Sequence, residues 1–386
     1  MSNKQRVGID VTSALTQGGG IGRYTRELID ALSQTQFDTE FDITFFSAKL
    51  PAVTPVQNPL PTHPSIQHKP APIDEKWLYR IWYRLRLPLP VQTFTGRLNL
   101  FHSPDFVLPP LARQIPSLLT VHDLSFLHYP HTFTPALVNY LNSVVPWSVR
   151  RATHILADSE ATKTDLVELW KTPAEKITVL YSGVHSRFAP VVDSSKIQAM
   201  RQKYKLSEAP IILSVGTVQP RKNYQMLIQA FARIADKFEH KLIITGGKGW
   251  LVDDILAEVE AQNLTGRVIF TGFIADEDLS TLYSAADVLA FPSLYEGFGL
   301  PILEAMACGT PVINSDASCL PEVAGSATVQ LPPENVDRWA TELANLLSDK
   351  ALHDQLRTAG FEQARRFTWQ KSAEQLLAIY STLLTG

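Results

Sequence analysis

The chain has 386 residues, which is enough for two domains at roughly 100–200 residues per domain. Hydrophobic residues make up 45% and charged residues 19%, and this balance excludes a disordered, collagen-like or coiled-coil protein. The net charge of -3 provides no overall basic field for binding nucleic acid. Only two cysteines occur, Cys308 and Cys319, which favours a reducing compartment over a disulfide framework. We therefore expect a cytoplasmic protein without a signal peptide or a membrane-spanning segment.

In the first half of the chain, short apolar runs alternate with helical patterns, as in α/β sheets with crossover helices. Strands are predicted at 7–11, 42–46, 99–102, 117–121, 154–157 and 177–180. Helices are predicted at 22–33, 75–86, 135–150 and 160–169. The proline-rich stretch 49–72 is predicted to be a long loop.

The second half repeats this alternation and then becomes helical. Strands are predicted at 211–215, 241–245, 268–271, 288–291 and 311–314, and helices at 336–348, 352–366 and 369–384. The pattern predicts two Rossmann-like domains, 1–188 and 189–368, with residues 369–386 packing back toward the first. Since ligands bind beyond the carboxyl ends of parallel strands, we expect the two domains to face a central cleft, with the C-terminal helices crossing the joint.

A glycine-containing turn follows the predicted strand 288–291, in the segment SLYEGFGLPILEAMACG. Gly297 and Gly299 permit close backbone approach, and Pro301 suits the first turn of a helix. A helix that begins here presents backbone N–H groups to an anion, so the turn is a candidate phosphate site. Glu296 and Glu304 lie eight positions apart and suit contacts with sugar hydroxyls; two solvated glutamates at a helix start are the alternative.

Three further segments carry candidate ligand-binding groups. The segment LSVGTVQPRKN places Arg221 and Lys222 after a strand, where they would neutralise a pyrophosphate or form an ordinary basic surface. The segment QGGGIGRYT is a glycine-rich turn that does not meet the dinucleotide-binding spacing. The segment TVHDL places His122 at the carboxyl end of strand 117–121, as a functional or a structural histidine.

These segments resemble the retaining glycosyltransferases of family 4, which have the GT-B fold. The run from Glu296 to Glu304 is similar to that family's E-x7-E motif. The resemblance implies that Glu296 contacts the transferred sugar, that Glu304 contacts the nucleotide ribose, and that the turn between them binds the donor. The residues of that turn are Gly297, Phe298, Gly299 and Leu300, with the diphosphate expected at the main chain of the last two.

The same resemblance assigns roles in the other segments. Lys222 and Arg221 would bind the diphosphate, although many members have an arginine directly after the strand glycine, where this chain has Thr217. The amides of Gly19 and Gly20 would lie beside the donor phosphates, and His122 would lie near the transferred sugar. Ile274 would line the nucleobase pocket, an assignment that rests on loop position alone.

The implied activity is metal-independent transfer of a hexose, with retention, from a nucleoside diphosphate sugar to a hydroxyl of a glycan or lipid-linked glycan. We expect no cofactor and no metal site. GDP-mannose is the first donor expected, with UDP-glucose and other UDP-hexoses as alternatives. A UDP-N-acetylhexosamine epimerase and a non-catalytic carbohydrate-binding protein remain the rival interpretations.

The segment 74–90, DEKWLYRIWYRLRLPLP, is rich in aromatic and basic residues. On a helix, Trp77, Ile81, Trp82 and Leu85 would share one face. That face would pack into the core of the first domain or contact an anionic membrane, where a lipid-linked acceptor would be found.

Overall fold

The computed structural model describes residues 4–50, 60–112 and 114–385. The chain forms two compact units. Unit 1 comprises Met1–Leu124, Asn139–Gly183 and Thr368–Gly386, and unit 2 comprises Ser125–Val138 and Val184–Phe367. Each unit contains one parallel sheet with helices, so the predicted pair of α/β folds is confirmed. The proposed borders at 188/189 and 368/369 stay predictions.

Unit 1 contains a seven-stranded sheet in the order β3-β2-β1-β4-β5-β6-β7, and every pairing is parallel. Its order reverses between β1 and β4, which creates a switch point at the carboxyl edge. The strands are β1 Gln5–Asp10, β2 Phe41–Lys49, β3 Ile66–Asp74, β4 Leu100–Ser103, β5 Ser117–Val121, β6 His154–Ala157 and β7 Ile177–Val179.

Unit 2 contains a six-stranded parallel sheet in the order β10-β9-β8-β11-β12-β13, with its switch point between β8 and β11. Its core includes the fully buried side chains of Trp339, Phe231 and Leu227. The strands are β8 Ile211–Val215, β9 Lys241–Thr245, β10 Val268–Gly272, β11 Val288–Phe291, β12 Val312–Ser315 and β13 Val329–Leu331.

Sixteen α-helices are assigned within the described residues, and several begin with a side-chain cap, as Ser159 does for the helix that follows it. In chain order they are α1 Thr12–Thr16, α2 Gly20–Ser33, α3 Glu75–Tyr79, α4 Gln92–Thr95, α5 Ser125–His128, α6 Pro135–Arg151, α7 Glu160–Trp170, α8 Ser194–Lys203, α9 Tyr224–Ala232, α10 Asp253–Ala261, α11 Asp276–Ser284, α12 Leu300–Ala307, α13 Leu320–Ala324, α14 Val336–Ser348, α15 Lys350–Ala364 and α16 Trp369–Thr385. Short 3-10 turns occur at Phe37–Thr39, Pro130–Thr132, Ala174–Lys176 and Pro220–Lys222.

The predicted long loop 49–72 is wrong in its second part. Residues 51–59 lie outside the described part of the chain, but β3 covers much of the remainder and pairs with β2. Proline is tolerated there because β3 is an edge strand, where Pro70 and Pro72 need not donate to a second neighbour. Proline content alone therefore misassigned an edge strand as a loop.

The predicted amphipathic helix 75–86 is also wrong in its regularity. Helix α3 ends at Tyr79 and is followed by a π-helical turn, Arg80–Arg84. Because of this irregular turn, the expected apolar residues do not share one face. Trp82 is buried, whereas Trp77 and Leu85 are 53% and 63% exposed.

Other features of the fold do not follow from the predicted elements. A sixth strand, β13, extends the unit 2 sheet beyond the five expected, and residues Ser125–Val138 belong to unit 2. Among the described residues, no helix combines the length and apolar character needed to cross a membrane.

The start of the last helix packs closely on the rest of unit 1. A Cβ atom placed on Gly183 would lie 2.0 Å from the backbone nitrogen of Trp369, and Ser372 donates a hydrogen bond of 2.6 Å to the Tyr181 carbonyl. Backbone atoms on both sides leave no space for a side chain at position 183.

We expect Gly183→Ala to destabilise unit 1 by about 1–3 kcal/mol because the backbone must separate to admit the methyl group. The melting temperature should fall by roughly 2–4 °C per kcal/mol. Gly247→Ala is the control, since no atom of the described residues, apart from its two chain neighbours, lies within 4 Å of its Cβ position. Equal melting temperatures for the two variants in a thermal scan would contradict the prediction.

Candidate active site

Two loops flank the switch point of the unit 2 sheet. The 3-10 turn Pro220–Lys222 follows β8, and the glycine turn that contains Glu296 follows β11. The loops are joined by a hydrogen bond of 2.9 Å from the Leu294 amide to the Arg221 carbonyl. Parallel strand ends at a switch point leave room for a ligand beyond them, and the charged side chains lie at this edge.

Glu296 forms an ion cluster with two cations. Its Oε1 atom lies 2.6 Å from Lys222 Nζ, and its Oε2 atom lies 3.0 Å from Arg221 Nη1. Arg221 also donates to the Tyr295 carbonyl. All three charged side chains are about nine-tenths buried, so the cluster is shielded from water. The structure thus brings together three residues that the sequence placed in two separate motifs.

The cluster keeps Glu296 ionised. Burial raises the pKa of its carboxyl group, but attraction to Arg221 and Lys222, with the hydrogen bond from Lys222, outweighs burial and lowers the pKa to about 2. With two positive charges and one negative charge, the cluster carries a net charge of about +1 at neutral pH.

The start of α12 depends on Gly299. This residue adopts φ 98°, in the left-handed region, and a Cβ atom here would lie 2.8 Å from Leu320 Cδ2. Pro301 occupies the first turn of the helix, where its missing N–H costs nothing. The N-terminus of α12 therefore follows directly after Glu296, Gly297 and Phe298, and its backbone dipole favours an anion.

Glu304 lies one turn into α12 and is buried. Its Oε2 atom accepts a hydrogen bond of 2.7 Å from the Tyr283 hydroxyl group. Tyr283, on α11, therefore orients the second carboxylate of the motif, and no local sequence pattern predicts this contact.

The loop after β10 exposes the side chain next to Ile274, whose place at a nucleobase pocket stays a prediction. Ile274 is 2% exposed, so its side chain belongs to the core, whereas the neighbouring Phe273 is 62% exposed. Gly272 turns the chain here with φ 72°. Phe273 therefore offers the accessible ring in this loop, and its place directly after a strand-ending glycine is the signal that the sequence carries.

The segment Ser125–Val138 supplies contacts that sequence reasoning missed. The ring of His128 stacks on Tyr295 with centroids 4.9 Å apart, directly beside Glu296 in the chain. Trp250 donates a hydrogen bond of 2.7 Å from Nε1 to the Thr132 carbonyl and packs against Phe133. The segment thus packs against the loops after β9 and β11, where no local pattern predicts it.

In unit 1, His122 follows β5 and is buried. Its Nδ1 atom lies 2.7 Å from Asp158 Oδ2, and its Nε2 atom lies 3.3 Å from the Pro104 carbonyl oxygen. The rings of Tyr24 and Phe106 approach it edge to face. Asp158 is not among the residues that the sequence motifs single out, and the structure pairs it with the candidate histidine.

The glycine turn of unit 1 contains two kinds of glycine. Gly19 precedes α2 and Gly20 begins it, and among the described residues no atom beyond the adjoining backbone lies within 4 Å of a Cβ position on either. Gly22, by contrast, would bring a Cβ within 2.1 Å of the Gln17 carbonyl oxygen. Gly22 is therefore required for packing, while Gly19 and Gly20 leave open space at the helix N-terminus.

A resident metal has no evident ligand set in residues 4–50, 60–112 and 114–385. No group of three or more histidine, cysteine, aspartate or glutamate side chains there could hold an ion. Metal independence stays a prediction.

Two family models match the chain, one over each half. The model described as Glycosyltransferase Family 4 matches residues 18–188, and the model described as Glycosyl transferases group 1 matches residues 196–363. Both glycine turns and all the candidate charged residues lie within these matches.

Similar proteins extend over most of the chain. The O-antigen chain mannosyltransferase B of Escherichia coli is 29% identical over 94% of this chain and 96% of its own. The serotype-specific mannosyltransferase WbdA of Escherichia coli is 31% identical over 64% of this chain, which spans 30% of that protein. Sucrose-phosphate synthase from Thermosynechococcus elongatus shares the fold, with a TM-score of 0.75 at 23% identity over 98% of this chain and 99% of its own.

We expect the substitution Glu296→Gln to lower the melting temperature, and the decrease should be largest at neutral pH. The depressed pKa of Glu296 corresponds to about 3 kcal/mol of stability, present above pH 4.5 and lost as pH falls toward 2. The difference from the wild type should be roughly 6–12 °C at pH 7 and should narrow below pH 4.5. Glu260→Gln, an exposed carboxylate on α10, is the control. A difference that stays constant down to pH 2.5 would argue against the ion cluster.

Proposed function

We propose, for a chain that belongs to glycosyltransferase family 4 and has the GT-B fold, that it transfers a mannosyl group from GDP-mannose to a hydroxyl of a surface polysaccharide. The enzyme class follows from the family: the protein is a glycosyltransferase. The choice of sugar is supported by similarity, along nearly the whole of both chains, to a protein named an O-antigen chain mannosyltransferase. In this proposal GDP is the nucleotide that carries the mannosyl group.

The observation that carries the proposal is the ion cluster at the switch point of unit 2. A diphosphate needs fixed positive charge and backbone N–H groups, and Arg221, Lys222 and the N-terminus of α12 supply both. These groups would hold the diphosphate of the donor and stabilise the charge that develops on it as the glycosidic bond breaks. In this scheme the two cations serve in place of a metal ion, and no cofactor is required.

Glu296 has a distinct part in this scheme. In the free protein its carboxylate balances the two cations, and a bound diphosphate would take over that balance. The carboxylate is then able to accept hydrogen bonds from sugar hydroxyls, the role expected for the first glutamate of the motif. Because this scheme uses the carboxylate to orient the sugar and not to attack it, we favour front-face substitution with retention over a covalent intermediate.

We expect GDP-mannose to raise the melting temperature and to support transfer to a glycan acceptor in the presence of EDTA. Lys222→Ala should lower kcat by about 10²–10³-fold because a charge that stabilises the leaving group is removed. Lys237→Ala, an exposed lysine of unit 2, is the control. The assay measures released GDP and the extended acceptor.

Each alternative has its own outcome in this assay. If a UDP-sugar stabilises the protein and supports transfer, the donor assignment changes to that UDP-sugar and the enzyme class stays the same. Activity that is lost in EDTA and restored by manganese would overturn metal independence. Conversion of the sugar nucleotide without any acceptor would favour an epimerase, and wild-type turnover in Lys222→Ala would remove the proposed diphosphate site.

We also propose that a surface formed by residues 76–87, here called the 76–87 surface, contacts an anionic lipid bilayer. Trp77, Leu85 and Leu87 are about half or more exposed, while Leu78 and Trp82 are buried and anchor the segment to unit 1. Arg80 lies 4.7 Å above the Trp77 ring, which places a cation beside an exposed indole. Exposed aromatic and leucine side chains among cations are typical of membrane interfaces.

The cations of this surface are Lys76, Arg80, Arg84 and Arg86. A chain with two cysteines, both of them buried, fits a reducing compartment, so the bilayer face in this proposal is the cytoplasmic one. A lipid-linked glycan acceptor would be presented at that face.

We expect the wild type to float with vesicles that contain phosphatidylglycerol and to stay in the soluble fraction with phosphatidylcholine alone. Arg80→Glu combined with Arg84→Glu should abolish flotation, since each charge near the surface contributes about 1 kcal/mol. Arg97→Glu with Lys171→Glu is the charge-matched control: both residues are exposed and precede strands, at the amino edge of the sheet. Equal flotation of the two double variants would remove the lipid surface from the proposal.

A further inference from the structure

Two buried histidines lie close together in unit 1, and their partners differ in kind. His102, on β4, contacts the Tyr380 hydroxyl at 2.8 Å and the Thr120 hydroxyl at 3.2 Å. His122 contacts the Asp158 carboxylate and the Pro104 carbonyl oxygen. Hydroxyl groups both donate and accept hydrogen bonds, whereas a carbonyl oxygen only accepts them. The partners therefore constrain the protonation of His122 and leave that of His102 open.

The hydrogen-bond partners of His122 determine the position of one ring hydrogen. Because the Pro104 carbonyl oxygen has no proton to donate, the facing Nε2 atom must carry a hydrogen. If Asp158 is ionised, Nδ1 carries a second one; if Asp158 is protonated, Nδ1 accepts from it. In either state that keeps both contacts, Nε2 is an N–H donor and cannot accept a proton.

The charges around the ring favour the doubly protonated state. Burial lowers the pKa of His122, but attraction and hydrogen bonding to Asp158, with smaller contributions from Asp105 and the Pro104 carbonyl, raise it to about 9. Burial and the positive charge of His122 lower the pKa of His102 to about 3, so one of the two histidines carries the charge. Tyr24 packs on the ring and stays neutral, because burial and Asp158 raise its pKa.

Asp158 is placed to act on His122. It directly follows β6, next to the helix cap Ser159, and is 5% exposed. Among the described residues, its Oδ1 atom has no hydrogen-bond partner, so its hydrogen bonding is directed to the imidazole. On the backbone side, the Thr162 hydroxyl donates to the His122 carbonyl at 3.1 Å, which ties the histidine to the same helix.

We propose that Asp158 is a positioning residue that holds His122 with a hydrogen on Nε2, so that His122 donates a hydrogen bond to a substrate oxygen and does not act as the base that deprotonates the acceptor. This inference rests on the proposed glycosyl transfer for the substrate. The weak contact to Pro104, at 3.3 Å, is the one that a substrate hydroxyl would replace. His122 then orients the sugar or acceptor without taking part in proton transfer.

The first test needs no activity. In ¹⁵N NMR of the histidine rings, the His122 signals, assigned by their absence in His122→Gln, should show both nitrogens protonated at pH 7 and titrate above pH 8. In Asp158→Asn, burial acts without its counter-charge, and the titration midpoint should fall below 6.5, a change of at least about 100-fold in proton affinity. Asp158→Glu, which retains the charge, should keep a raised midpoint.

The opposite results are equally definite. A His122 ring that is neutral at pH 7 with an unprotonated Nε2 in the wild type would overturn the inference, as would an unchanged midpoint in Asp158→Asn. Glu168→Gln, an exposed carboxylate on α7, is the control and should leave the midpoint in place. Melting temperatures of all variants establish that each is folded.

The second test uses transfer kinetics. The wild-type kcat should be flat between pH 6 and 8, since the imidazolium is retained below its folded pKa of about 9. In Asp158→Asn, kcat should fall by about 10–100-fold at pH 8, with recovery as the pH is lowered and little change in the donor KM. A wild-type kcat that rises through pH 6–7 would instead identify His122 as a base. If no donor supports transfer at all, the proposed function fails while the NMR result stands independently.

Discussion

Arg221, Lys222 and Glu296 come from two loops that meet only because β8 and β11 are neighbours in the unit 2 sheet. Removing one partner from such a buried cluster leaves an uncompensated charge, at a cost of about 3–5 kcal/mol. The positions of both loops are therefore fixed by electrostatics as well as by the sheet. Gly216 contributes to this arrangement, since a Cβ atom there would lie 3.0 Å from the Lys222 side chain.

The same constraint prepares the site for a diphosphate. Two like charges side by side repel, and Glu296 holds them together before any ligand is present. A ligand that replaces the carboxylate finds the cations already ordered, so little side-chain entropy is lost on binding. The geometry also explains why a glutamate and not a neutral residue suits this position: an amide would orient the cations without balancing them.

The sequence predicted most of what depends on local pattern. Strand ends, the glycine turn before α12 and the charged residues in both loops follow from apolar runs, glycine and charge. It failed where structure depends on distant partners. Strand β3 contains two prolines and forms because β2 offers an edge, and the irregular turn after α3 is not encoded by residue spacing. Residues Ser125–Val138 join unit 2 through Tyr295 and Trp250, which lie far away in the chain.

The histidines of unit 1 make the same point for chemistry. Residue type and position at a strand end single out His122, but His102 lies on the neighbouring strand β4 and is buried as well. What separates them is whether the partner is a hydroxyl or a carboxylate, and that partner comes from 36 residues further along the chain. Two buried imidazolium groups would repel each other, which disfavours charging both histidines. The additional proton therefore stays on His122, beside Asp158. The charge of a buried histidine is thus a property of the packing around it, and only the fold reveals it.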